Sequence, residues 1–320
     1  MRQSERNEQR FRDIFLSAHA HHAACAHDEW LNAACCEADG SPSARPIVWS
    51  RRNGPWRRVH VLWVGAAPGN AGGLGSSDLG AHGTRIPFGG DIAGGNLDVL
   101  LSSIGLTRND TFIVAALNKL PAKGGGEPST AEIGTPAGAL PDSVALLRDT
   151  MIATGPRLVV ALGNVALRCL AAAVTRPDDA PPGAARELAA LRLPGKTRLD
   201  AARFERGTAR AWPDALPLAD GFRAQWHDAW HTQPAFVTLP LLHPSAQNMS
   251  PFAGATTLFH TRMVDTRDAL VRAVRAMSGM TVPEQRAAPP DDGIYALPEW
   301  RRHIAARHAR FDELWRRGGV

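Results

Sequence analysis

Several short segments carry side chains able to do acid–base, hydrogen-bonding or stacking chemistry, and each is predicted to follow a buried strand. The segments are GAAPGN (65–70), which leads through a long loop to PFGGDIAGGN (87–96), then LNKLP (117–121), LGNVA (162–166) and LLHPSAQN (241–248). Asp91 and His243 can hydrogen-bond or exchange protons, and Phe88 can stack on a flat ring. Because the carboxyl ends of parallel strands meet at one edge of a sheet, the segments together predict a single cleft.

The elements that must position these residues are visible as apolar runs. Four strands are predicted in RVHVLWVG (58–65), TFIVAAL (111–117), RLVVALG (157–163) and AFVTLPLL (235–242). Helical periodicity lies between them, a capping-box spacing over 129–132 marks a further helix start, and 258–277 reads as an amphipathic cover helix. This alternation predicts a three-layer α/β/α fold with a central, mainly parallel four-stranded sheet, plus N- and C-terminal helical extensions.

Composition shifts divide the chain into three parts. Residues 1–55 are predicted to be an N-terminal helical extension, in which one or two helices are followed by the linker GSPSARP and an Arg-rich approach to the first strand. Residues 56–278 are predicted to form the α/β domain. Within that domain, residues 172–232 are rich in Pro, Ala, Arg and Asp, which predicts an insertion or lid. Residues 279–320 read as a linker and a basic C-terminal helix, whose arginines could contact phosphates or whose apolar side chains could pack on the domain.

The overall composition excludes some classes of protein. A chain of 320 residues with 44% hydrophobic and 21% charged residues is not disordered. Its net charge of +5 suits a polyanionic partner but is weak evidence for one. The start of the chain lacks a signal-peptide core, and no run approaches the roughly 18 apolar residues of a membrane span. We therefore expect a cytoplasmic protein with no membrane association.

Cofactor and metal signatures are also missing from the sequence. No cysteine pair has C-x-x-C spacing, which predicts free thiols at Cys25, Cys35, Cys36 and Cys169. The His-rich stretch 19–27 is predicted to be a solvated helical surface. A phosphate loop ending in Gly195-Lys196-Thr197 would need glycine where Ala190 stands, and no G-x-G-x-x-G follows a strand. We expect no metal and no nucleotide cofactor.

The ordered set of segments resembles the uracil-DNA glycosylase superfamily over roughly residues 57–277. Members share a G-x-x-P-G turn after the first strand, a Pro-Phe loop, a polar residue after the second strand and a final His-Pro-Ser loop. The resemblance implies a monofunctional DNA glycosylase of base excision repair. Such an enzyme flips uracil, or another deaminated base, out of DNA and hydrolyses its N-glycosidic bond. Its partner would be DNA containing a damaged base, and we expect it to act as a monomer.

Departures from the family patterns indicate the branch. Ala66 and Ala67 stand where family four carries a carboxylate and the single-strand-selective branch carries Asn. Family five also lacks that carboxylate and uses the Asp of a Phe-Thr-Gly-Asp sequence, which Phe88–Asp91 resembles. The last motif of family five is matched by His243, Ser245, Gln247 and Asn248.

Two other positions differ from the relatives. Family five would place Asn near Ala115, whereas Asn118 has the Asn-x-x-Pro spacing of the single-strand-selective branch. Family four binds an iron–sulfur cluster through four cysteines, but Leu120 stands where the third would fall. The resemblance therefore implies a family-five-like protein with some single-strand-selective features and no cluster.

The resemblance also implies a role for each site residue. Asp91 would orient or deprotonate the attacking water, and His243 would donate a hydrogen bond to the departing base. The base would be bound by Phe88, Asn118 and the backbone amides of Ala66 and Ala67. Backbone amides at the small residues Gly69, Gly94, Gly95 and Ser245 would hold DNA phosphates. The loop after His243, which includes Gln247, Asn248 and Met249, would enter the space that the flipped base leaves.

Other interpretations stay open at this stage. Asp91 could cap a helix starting near Asn96, Phe88 could be a core residue, and Asn118 could complete a turn. Asp78 or His82 in the long loop could supply a polar group that the first motif lacks. At the level of function, the alternatives are a catalytically inactive nucleic-acid-binding relative and an α/β hydrolase acting on a nucleotide or nucleoside.

Overall fold

A computed structural model describes most of the predicted domain and short parts of its flanks. The described residues are 5–6, 8–14, 54, 56–67, 88, 92–116, 143–175, 207–212, 216–244, 256–277, 305 and 309. The predicted helix start at 129–132 lies outside these residues, as does all of the C-terminal segment 279–320 except two helical, exposed alanines, Ala305 and Ala309.

A five-stranded sheet in the order β2-β1-β3-β5-β4 forms the centre of the molecule. Its strands are β1 (Val61–Gly65), β2 (Thr111–Ala115), β3 (Leu158–Leu162), β4 (Arg210–Ala211) and β5 (Val237–Leu241). The pairings of β1 with β2, β1 with β3 and β3 with β5 are parallel, whereas β4 is antiparallel to β5. The prediction of four strands was wrong by one, because β4 has only two residues, both exposed, and thus no apolar run to reveal it.

The four long strands are the ones that the apolar runs predicted. β1 and β3 are buried at every position, as expected for parallel strands covered on both faces. Alternate side chains of β1 enter different cores: Leu62 and Val64 belong to one cluster, and Val61 and Trp63 belong to the other. A sheet with a separate core on each face requires helices on both sides.

Helices cover both faces and confirm the three-layer α/β/α architecture. The described helices of the α/β layers are α1 (Ile92–Ser103), α2 (Ser143–Thr154), α3 (Asn164–Thr175), α4 (Asp220–Trp230) and α5 (Thr256–Ala276). Residues of α2, α3 and α4 line one core, whereas α1 and α5 line the other. No described helix is both long enough and apolar enough to cross a membrane. Cys169 in α3 is a free thiol, and burial raises its pKa to about 12.

Two sequence-based boundaries need correction. α1 begins at Ile92, not near Asn96. The segment 172–232, predicted to be an insertion or lid, contains the end of α3, strand β4 and the whole of α4. Phe222 and Trp226 of α4 are buried in one of the two core clusters. This end of the segment therefore belongs to a helical layer of the domain.

The N-terminal flank also packs on the domain. Residues 8–14 are helical, and the Phe11 ring stacks on Trp56 with a centroid distance of 6.3 Å. Phe11 also contacts Phe112 of β2, with a centroid distance of 5.9 Å.

The end of α2 provides a test of how tightly the helical layer packs. Gly155 has a φ of 50° and donates its N–H to the Met151 carbonyl at 2.9 Å, which closes the helix. A Cβ at this position would lie 2.6 Å from Cζ2 of Trp230, whose indole donates to the Ile152 carbonyl at 2.8 Å. The Trp230 indole of α4 therefore packs on Gly155 and is hydrogen-bonded to the end of α2.

We expect Gly155→Ala to lower the free energy of unfolding by about 2–5 kcal/mol, the sum of left-handed backbone strain and overpacking against Trp230. Gly207→Ala is the matched control, because Gly207 has a φ of 77° but, among the described residues, a Cβ there meets Ala269 alone, at an ordinary contact distance of 3.6 Å. That control should cost only about 1–2 kcal/mol. Urea denaturation measures both values, and equal losses would contradict the packing account.

Candidate functional site

The carboxyl ends of the four parallel strands lie along one edge of the sheet. β1 ends at Gly65 and is followed by Ala66 and Ala67, which are both partly buried. β5 ends at Leu241, and His243 follows two residues later. The Ala116 N–H donates to the Gly65 carbonyl at 2.8 Å, which joins the ends of β1 and β2. The predicted convergence of these segments is therefore seen for the residues that the structure describes.

Phe88 and His243 meet at this edge. Their ring centroids lie 5.6 Å apart and the ring planes are inclined by 35°. The Phe88 ring lies against Gly65, where a Cβ would come within 2.8 Å of its Cζ. Both residues are partly buried, and Phe88 packs against the core that α1 and α5 line. An aromatic face and an imidazole thus stand side by side at the end of β1.

The backbone of Phe88 is held in an unusual conformation. Its φ of 55° lies in the left-handed region, which an aromatic residue rarely adopts. The Phe88 carbonyl accepts a hydrogen bond from Nη2 of Arg108 at 2.9 Å. The same guanidinium forms a two-pronged ion pair with Asp98, with Nε to Oδ1 at 2.7 Å and Nη2 to Oδ2 at 3.2 Å.

Arg108 is itself fixed by local structure. It begins the 3₁₀ turn Arg108–Asp110 that leads directly into β2. Thr107 caps this turn: its Oγ1 accepts from the Asn109 N–H at 3.2 Å, and its own N–H donates to Oδ2 of Asp110 at 2.8 Å. The capping box therefore sets the direction from which the guanidinium reaches Phe88.

A second polar contact holds the loop that carries His243. Nδ2 of the buried Asn96 donates to the Pro244 carbonyl at 2.8 Å. The Gly163 N–H donates to the Leu241 carbonyl at 2.9 Å, which ties the end of β3 to the end of β5. The His243 backbone is therefore fixed from α1 on one side and from β3 on the other.

Sequence reasoning missed Asn96, Asp98 and Arg108 as residues that support the site. Asn96 appeared only as the end of a glycine-rich segment, and the two charged residues gave no local signal because they are partners across separate elements. The available hint was that Arg108 lies three positions before β2, a strand whose residues are mostly apolar.

The glycines predicted to hold phosphates lie partly inside the described structure. Gly94 and Gly95 are in the first turn of α1, and both are buried. Contact between these amides and a phosphate stays a prediction.

The remaining predicted site residues lie outside the described residues. Asp91 directly precedes α1, and Asn118 follows β2 by three positions. The others are Gly69, Asp78, His82, Ser245, Gln247, Asn248 and Met249. Within the described part of the chain, no group of three or more His, Cys, Asp or Glu side chains is arranged to hold a metal ion.

Comparison with known families supplies the identity. The family model described as the Uracil DNA glycosylase superfamily matches residues 53–267, which is more than half of the chain. The chain belongs to this superfamily. No curated protein sequence matches it.

Membership of the uracil DNA glycosylase superfamily confirms the resemblance predicted from the motifs. The matched range contains all five strands and every strand-end segment named above. The family-five-like branch is a finer assignment, and it stays a prediction.

The close approach of Phe88 to Gly65 can be tested without an assay of activity. Gly65→Ala should push the Phe88 ring aside while the protein stays folded, since only the far end of a side chain must move. Ring currents from Phe88 reach His243. We therefore expect Gly65→Ala and Phe88→Leu to shift the His243 ring resonances in ¹H–¹³C spectra in the same direction. Gly207→Ala is the control and should leave them in place. An unchanged His243 signal in Gly65→Ala would count against this packing.

Proposed function

We propose that this superfamily member is a monofunctional DNA glycosylase acting in base excision repair. It hydrolyses the N-glycosidic bond of uracil, and of other deaminated bases such as hypoxanthine, after flipping the base out of DNA. The observation that carries the proposal is the 5.6 Å approach of the Phe88 and His243 rings at the carboxyl edge of the sheet. A flipped base needs such a stacking face beside a hydrogen-bond donor.

The roles of these residues follow from the chemistry of the leaving base. Uracil departs with negative charge on a carbonyl oxygen, and a preorganised donor at that oxygen is worth about 10²–10³ in rate. His243 is the proposed donor, with backbone amides at Ala66 and Ala67 beside it. Phe88 stacks on the base and Asn118 binds its Watson–Crick edge.

Asp91 is the proposed acidic residue of the reaction. It would orient or deprotonate water, and it would offset the positive charge that develops on the sugar. The sequence supports this choice because Ala66 and Ala67 offer no carboxylate. Asp98 is a less suitable acid, because it is already paired at 2.7 Å with Arg108, the residue that donates to the Phe88 carbonyl. None of the proposed catalytic or base-binding residues is a lysine, so we propose hydrolysis without a Schiff base and without strand cleavage.

A second candidate is a catalytically inactive relative that binds nucleic acid. It is favoured by the two alanines in the first motif, which remove the usual water-positioning group. The two candidates differ in what Asp91 contributes, and a substitution at that residue separates them.

The test uses oligonucleotides bearing one uracil, hypoxanthine or thymine, single- and double-stranded, followed by alkali to cleave abasic sites. The protein should come from a host that lacks its own uracil glycosylase. We expect cleavage only after alkali. Asp91→Asn should lower the single-turnover rate about 10²–10⁴-fold, and His243→Ala about 10²–10³-fold.

Matched controls are Asp228→Asn and His227→Ala, which change exposed side chains on α4. Both should keep the wild-type rate. DNA binding without cleavage of any substrate would favour the inactive relative, and release of base from free nucleosides would favour a nucleoside hydrolase.

A further inference from the structure

We infer that the buried Asp98–Arg108 ion pair is a positioning unit that fixes Phe88 as the stacking face for the flipped base. Neither residue would touch DNA or the base. The inference rests on the proposed function for its catalytic consequence, whereas the positioning itself is a property of the folded protein.

Burial of the pair is the first reason. The Arg108 and Asp98 side chains are only 7% and 1% exposed. Removing two charges from water is costly, and apolar side chains of similar size often serve stability as well or better. A buried ion pair in such a place calls for a role that apolar residues cannot fill. Here that role is the third hydrogen bond, which runs from Nη2 to the Phe88 carbonyl.

Geometry is the second reason. A guanidinium presents its donors in one rigid plane, so Arg108 can hold both carboxylate oxygens of Asp98 and still direct a donor at the Phe88 carbonyl. The carbonyl belongs to a residue whose φ is 55°. Such a conformation persists only when its surroundings hold it, and the Arg108 donor is a contact that can do so.

The position of the ring is the third reason. The Phe88 ring has Gly65 on one side and the His243 ring 5.6 Å away. A rotation of the Phe88 backbone would therefore change the angle that the ring presents to a base and its distance from His243. The pair connects α1, through Asp98, and the start of β2, through Arg108, to this one backbone group.

The catalytic test is a double-mutant cycle in the full-length protein. Arg108→Lys keeps the charge but loses the planar donor set, and we expect it to lower the single-turnover rate on uracil-containing DNA about tenfold. In the Phe88→Ala background the same change should cost less than about threefold, because there is no ring left to position. Arg272→Lys, an exposed arginine on α5, is the matched control and should cost nothing in either background.

A second readout needs no activity. In folded Arg108→Lys protein, the His243 ring resonances should shift in the same direction as in Phe88→Leu. Asp98→Asn keeps the shape of the partner while removing its charge, and it should give a smaller shift in that direction. It also serves as the test if Arg108→Lys does not fold.

The outcomes separate this inference from the proposed function. A shifted His243 signal together with a rate loss that depends on Phe88 supports the inference. An unshifted signal in folded variants, or an equal rate loss with and without the Phe88 ring, overturns it and leaves the pair as a purely structural link. A shifted signal in a protein that cleaves no substrate would keep the positioning role and refute the glycosylase.

Discussion

Parallel hydrogen bonding of β1 to both β2 and β3 is the constraint on which the rest of this structure depends. It places β1 in the interior of the sheet, with Val61 opposite both Thr111 and Leu158. The same register brings Gly65 level with Ala115, so the segments after these strands emerge at one edge. Because parallel strands need crossover connections, helices must cover both faces, and the two cores follow from that requirement.

Helix α1 then connects the sheet to the site. Asn96 and Asp98 lie two residues apart on this helix, about 200° around its axis, and they act in different directions. Asn96 binds the loop after His243, and Asp98 binds the arginine that contacts Phe88. Residues 93–101 of α1 are buried throughout, so polar groups on nearly every side of the helix need partners. Asn96 reaches the His243 segment directly, at the Pro244 carbonyl, and Asp98 reaches the Phe88 backbone through Arg108.

The sequence was sufficient for the parts of the fold that local patterns encode. Apolar runs identified the four long strands, and ordered motifs identified the superfamily. Helix α4 was missed although Phe222, Trp226 and Ala229 have helical spacing, because most of its remaining residues are polar or charged and its surroundings are rich in Pro and Ala. The contacts of Asn96 with Pro244 and of Arg108 with Phe88 had no local signal. They join residues distant in the chain, and only the folded register brings those residues together.

That register also sets when the site can exist during folding. β1 pairs with a strand that begins 50 positions later, and β3 pairs across an even longer stretch of chain, from Leu158 to Val237. Contacts of such high sequence separation form slowly, because loop-closure entropy must be overcome before they bring any gain. Phe88 and His243 can meet only after β1, β3 and β5 are all in register. In a nascent or partly unfolded chain whose strands are unpaired, the two rings are therefore not yet side by side.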